Sequence, residues 1–163
     1  MKRNKKCTHA NTVSAPIRLW VRMSGHVCAE DPHWAQEKGI TPLHMAAFNG
    51  DLAKVKKLLQ DKSTNINATD IYGWIPLHDA VAGGHTKIVK LLLAAGAHIN
   101  AQDIEEAYTP LHEAARMNHK DIVQVLLAAG ADATIRDAGN QTALDIAQDY
   151  EFQDIVDILT AAS

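Results

Sequence analysis

The sequence predicts an all-α solenoid of stacked helix-turn-helix units with projecting β-hairpin or turn fingers, and three observations lead there. The near-identical phrases "GITPLHMAAFNGD", "GWIPLHDAVAGGH" and "AYTPLHEAARMNH" begin at Gly39, Gly73 and Ala107. With Thr41, Ile75, Thr109 and Thr142 as equivalent starts, the units recur at spacings of 34, 34 and 33 residues. An apolar content of 47% with only 5% aromatic residues suits an aliphatic helical core. A unit this short cannot bury both of its faces alone, so it stacks on copies of itself.

Each unit reads the same way. Thr41, Thr109 and Thr142 stand where a helix N-cap belongs, and Pro42, Pro76 and Pro110 take the first helical position, where a missing N–H costs nothing. "LHMAA", "LHDAV" and "LHEAA" supply small residues that let this first helix pack closely. Gly50, Gly84 and Asn118 then accept the left-handed conformation that ends it. The second helix, "LAKVKKLL", "TKIVKLLL" or "KDIVQVLL", places aliphatic residues at helical spacing. Gly96 and Gly130 stop two of these helices, and "AHINAQD" or "ADATIRD" follows as extended, turn-like chain.

These residues together, T-P-L-H, A-A, a glycine, an apolar second helix and "LLLAAGAHINAQD", resemble the ankyrin repeat over residues 41–163, about three quarters of the chain. The resemblance implies helix pairs forming a stem, with fingers projecting at right angles, and a non-enzymatic module that binds other proteins. The expected domains are a basic, irregular tail at 1–40 and repeat units at 41–74, 75–108, 109–141 and 142–163.

The departures from the pattern are local. Ile75 replaces the capping threonine, which forfeits roughly 0.5–2 kcal/mol of capping unless its side chain packs instead. The turn before the third unit reads "DIEEAY" where the preceding one reads "DIYGW", so a glycine is lost and a residue added. In the last unit Asp145 stands where His44, His78 and His112 stand in the others, and the added acids suit a terminal cap whose outer face meets water.

Charge is unevenly placed. Residues 1–29 hold Lys2, Arg3, Lys5, Lys6, Arg18 and Arg22 and no acid, whereas the remainder holds 10 basic and 19 acidic residues. An acidic body repels phosphate backbones, so the repeat domain is not expected to bind nucleic acid. There is no apolar run long enough to span a bilayer, and "MKRNKK" is followed by "CTHANTVS" rather than by a signal-peptide core. The cytoplasm is the expected compartment, with the nucleus as the alternative that "KRNKK" opens. Cys7 and Cys28 read as free thiols, and "PIRLWVRM" as an amphipathic strand.

Nine histidines invite a metal or catalytic reading, but three recur at one repeat position, where the resemblance implies structural hydrogen bonds near the helix start. "HEAAR" ends in arginine where the zinc-protease motif needs its second ligand. No nucleophile elbow, P-loop or nucleotide fingerprint is present, so no catalytic residue, metal or cofactor is expected. Asn67 and Asn100 hold the position that in the resembled family bonds backbone.

The resemblance also places partners at the fingertips and the exposed end of the first helix, on the concave side. The fingertip residues are Ile71, Tyr72 and Trp74, then Ile104, Glu105 and Tyr108; the helix-end residues are Phe48, Arg116 and Met117. Ile40, Trp74 and Tyr108 share one repeat position, which stacking sets in a column. The expected surface is a strip anchored by Trp74 and Tyr108 and flanked by Asp79, Glu105, Glu106 and Glu113. It suits one protein partner at a time with a basic, partly apolar segment, bound by a monomer. The alternative is a targeting protein that acts through its basic tail, with the repeats as scaffold.

Overall fold

A computed structural model describes residues 37–162 of the chain. The basic tail, both cysteines and "PIRLWVRM" lie outside the described residues. Eight helices fall wholly within them, and no strand. The first helices of the four units are α1 (Pro42–Phe48), α3 (Pro76–Ala82), α5 (Pro110–Arg116) and α7 (Ala143–Asp149). The second helices are α2 (Leu52–Gln60), α4 (Thr86–Ala94), α6 (Lys120–Ala128) and α8 (Gln153–Ala161).

The cap chemistry read from the sequence sets these boundaries. The Thr41 and Thr109 hydroxyls each accept the backbone N–H three residues on at 3.4 Å, and Thr142 does so at 3.2 Å. Ile75 makes no side-chain cap and is instead 2% exposed within the core. Its packing takes the place of the missing hydrogen bond. Gly50, Gly84 and Asn118 end their helices at φ 74°, 72° and 57°, and Glu151 does the same in the last unit at φ 59°.

Two layers result. The first helices pack on one another in order, α1 on α3, α3 on α5 and α5 on α7, and each second helix covers its own unit's first helix. Alanines at 46, 47, 80, 114, 115 and 147 are almost wholly buried between them, which is what lets the backbones approach. Each second helix turns one aliphatic stripe inward: Ile88, Val89 and Leu92 on α4, and Ile122, Val123 and Leu126 on α6. Truncating one of these side chains to alanine costs about 2–5 kcal/mol, because neighbours held on fixed helices cannot collapse into the gap.

The fingers are turns rather than ladders. The N–H of Asp70 donates to Trp74 O, that of Asp103 to Tyr108 O and that of Asp137 to Gln141 O, at 2.9, 3.0 and 2.9 Å. Each of these buried aspartates also accepts backbone N–H groups of its own turn: Tyr72 and Trp74 on Asp70, Glu105 and Glu106 on Asp103, and Gln141 on Asp137. Neighbouring fingers are tied by single backbone bonds, Ile104 N–H to Tyr72 O (3.0 Å) and Ala138 N–H to Glu106 O (2.8 Å). On the other side of the stack, Asn67 donates to Gly96 O and accepts His98 N–H, and Asn100 accepts Asp132 N–H. The repeated asparagine therefore bonds backbone in the next unit.

Candidate functional site

The repeated histidines fix where the fingers stand. His44 Nδ1 accepts the Thr41 N–H (3.1 Å), which places its proton on Nε2 and directs it to Trp74 O at 3.0 Å. His78 does the same between the Ile75 N–H and Tyr108 O, both at 3.3 Å. His112 links the Thr109 N–H (3.3 Å) to Gln141 O (3.2 Å). Each ring thus caps its own helix and holds the base of the following finger. Burial drives the His78 pKa down to about 4, against the pull of Asp103, and lowers that of His112 for the same reason. Both act as neutral hydrogen-bond relays.

Four of the residues expected in the column or on its flank are interior. Trp74 is 2% exposed: its Nε1–H points at Asp103 Oδ2 (3.3 Å) in the next finger, and its ring lies 5.6 Å from that of His78. The finger base is a site of inter-unit packing, so a ring there turns inward, and Trp74 is not a surface anchor. Ile40, in the same column, is 8% exposed. Asp79 is fully buried. Glu113 is 2% exposed and is held by Arg116 in a two-point pair, Nε to Oε2 at 3.0 Å and Nη2 to Oε1 at 2.7 Å. Their acidity is spent inside the protein. The acidic flank that stays on the surface is Glu105 and Glu106.

The others do reach the surface. Ile71 (42% exposed) and Ile104 (72%) are the large apolar residues at the fingertips, beside exposed Glu105 and half-buried Tyr72. Phe48, Tyr108, Arg116 and Met117 are half-buried at the finger bases and helix ends. The Tyr108 ring stacks on His112 at 5.7 Å, and burial together with the nearby Asp137 charge pushes its hydroxyl up to about 12. It is a neutral donor at any physiological pH. Burial works against the Arg116 cation, but the hydrogen bond and charge of Glu113 outweigh it and raise its pKa.

Two exposed residues escape the sequence reading. Tyr150, 55% exposed, closes α7 at the repeat position that Met117 holds in α5, and its ring stacks on Phe152 at 5.7 Å. It lies within electrostatic reach of Tyr108 and Arg116. Aligning the last unit on the third would have found it. Met45, 39% exposed on α1, is the other; no comparable signal marked it. Ile71 and Ile104 are exposed at the fingertips, Tyr150 is exposed at the end of α7, and Tyr108 and Met117 stand half-buried at a finger base and a helix end. Apolar and aromatic side chains of this kind are what interface cores favour.

Among the described residues no helix is long and apolar enough to cross a membrane. Comparison with known proteins supplies the wider setting. A family model described as ankyrin repeats in three copies matches residues 18–103, and one described as ankyrin repeats in many copies matches residues 104–147. A 57-residue stretch is 44% identical to the 26S proteasome non-ATPase regulatory subunit 10 of Dictyostelium discoideum, covering 35% of this chain and 25% of that protein. A 59-residue stretch is 46% identical to the human transient receptor potential cation channel subfamily A member 1, covering 35% of this chain and 5% of the channel. A 78-residue stretch is 40% identical to NF-kappa-B inhibitor alpha of Sus scrofa, covering 45% of this chain and 25% of the inhibitor. The matched stretches span a quarter or less of these relatives' own length.

Proposed function

Since the chain belongs to the ankyrin repeat family, a protein-interaction fold, we propose that it is a non-enzymatic module that holds one protein partner on its finger-side face. The observation that carries this reading is the exposure of Ile71, Ile104 and Tyr150 on the one face where the resemblance to the family expects contact. Tyr108, Arg116 and Met117 line its floor. Exposed apolar side chains on a framework of paired helices cost little to order on binding, because the backbone beneath them is already fixed. With Glu105 and Glu106 at the rim, the face favours a partner segment that is apolar with basic residues beside it. The module acts as a monomer in the cytoplasm, with residues 41–163 as its binding body.

Affinity capture from source-cell lysate with quantitative mass spectrometry tests this. The wild-type chain should enrich a partner that the Ile104→Asp/Tyr150→Ala variant loses while its helicity is unchanged. A partner retained equally by both forms would contradict the assignment and move the activity elsewhere on the chain.

A further inference from the structure

The outer face of the stack carries charge in an order that the finger-side face does not explain. Lys54, Lys56 and Lys57 on α2, Lys62 just after it, and Lys87 and Lys90 on α4 are all exposed. No acidic side chain among the described residues pairs with any of them; the ion pairs there are Glu113–Arg116, Lys120–Asp154 and Arg136–Asp145. α2 and α4 pack side by side, and from residue 51 to 94 the exposed acids are Asp51, which caps α2 by accepting the Lys54 N–H, and Asp61, whose carboxylate accepts from Ser63. A solvated helix face ordinarily sets opposite charges three or four residues apart, whereas Lys87 and Lys90 set like charges there, at a cost to the helix.

Further along the same face the sign reverses. The position of Lys56 and Lys90 is held by Gln124 on α6 and Asp157 on α8, and that of Lys87 by Asp121 and then Asp154. The positive potential is therefore confined to two helices. Between α4 and α6 lies an open depression whose lining includes Asp121 as well as Lys90, so the basic surface ends at its near wall.

From this arrangement we infer that the outer face of α2 and α4 docks an acidic segment of a partner polypeptide. Nucleic acid and anionic bilayers spread their charge over a wider surface, and on either the acids at 121, 154 and 157 would meet like charge. A short acidic segment is small enough to stay on the basic half. This surface is separate from the finger-side face and does not depend on what binds there.

Fluorescence anisotropy of the full chain with a labelled peptide of repeated Glu-Glu-Leu tests the inference. Wild type should bind it, and raising the salt should weaken the complex. Lys56→Glu/Lys87→Glu/Lys90→Glu should bind about tenfold or more weakly, and the corresponding Lys→Gln variant should fall between, both with unchanged helicity. A variant with Lys2, Arg3, Lys5 and Lys6 replaced by Gln should bind as wild type does. The inference is overturned if wild type does not bind the peptide, if the triple variant binds as tightly as wild type, or if neutralising the tail removes the binding. It is also overturned if duplex DNA or phosphatidylserine vesicles bind as tightly through the same three lysines.

Discussion

His44 donates its Nε2–H to the backbone carbonyl of Trp74, 3.0 Å away at the far end of its own unit. The same bond joins His78 to Tyr108 and His112 to Gln141, so each helix start holds the next finger in place. Asp145, at the equivalent position of the last unit, accepts the Thr142 N–H and hydroxyl at 2.8 Å but has no proton to pass outward. The relay runs through three junctions and stops at the fourth unit.

Acid should weaken the stack. His78 is neutral in the fold with its pKa lowered to about 4, against an ordinary value of 6.5 that it regains on unfolding, and His112 is lowered too. The unfolded chain therefore takes up protons first. The stability these rings contribute is complete above about pH 6.5 and is lost as the pH falls from there through the folded pKa, on the order of 3 kcal/mol for His78 alone. Urea unfolding at pH 7.5, 6, 5 and 4 should show a falling midpoint, and a flat profile would contradict the relay.

Ala107→Gly should stabilise the protein. Ala107 sits at φ 55° in the turn where the preceding finger has Gly73 at φ 81°. The left-handed conformation costs an L-residue about 1–2 kcal/mol, part of which glycine gives back as backbone entropy. Thermal or urea unfolding should register a net gain of about 0.5–1 kcal/mol.

Trp74 should behave as a core residue. Trp74→Ala should lower stability by about 3–5 kcal/mol, whereas Ile104→Asp and Tyr150→Ala should each change it by less than about 0.5 kcal/mol. In a chain with Trp20 and Trp34 replaced by Phe, acrylamide should quench Trp74 fluorescence only weakly.

Arg116→Met alone should cost more than Arg116→Met/Glu113→Met. The single change strands the Glu113 carboxylate at 2% exposure, a loss of about 3–5 kcal/mol, while the double change removes both charges from the site. Chemical denaturation of the two variants and wild type measures the difference.

The helices were legible in the sequence because their signals are local. Threonine before proline, a left-handed residue eight positions after that proline, and an aliphatic stripe at helical spacing are each read from neighbours along the chain. The facing of Trp74 was not legible, since a ring at a finger base turns inward or outward according to the finger after it, and Asp103 with His78 decided it. Glu113 looked like a surface acid, yet the three-residue spacing to Arg116 already offered the pair that lets it be buried. Tyr150 was hidden by the rewriting of the last unit, in which its repeat position follows no T-P-L-H phrase.

Site-specific photo-crosslinking shows whether a partner sits on the finger-side face. A benzophenone amino acid placed at residue 104, and in a separate chain at exposed residue 160 on α8, would be irradiated in source-cell lysate. A discrete protein adduct is expected from position 104, abolished by Tyr150→Ala, and none from position 160. An adduct from position 160 alone, or one from position 104 indifferent to Tyr150→Ala, would contradict that placement.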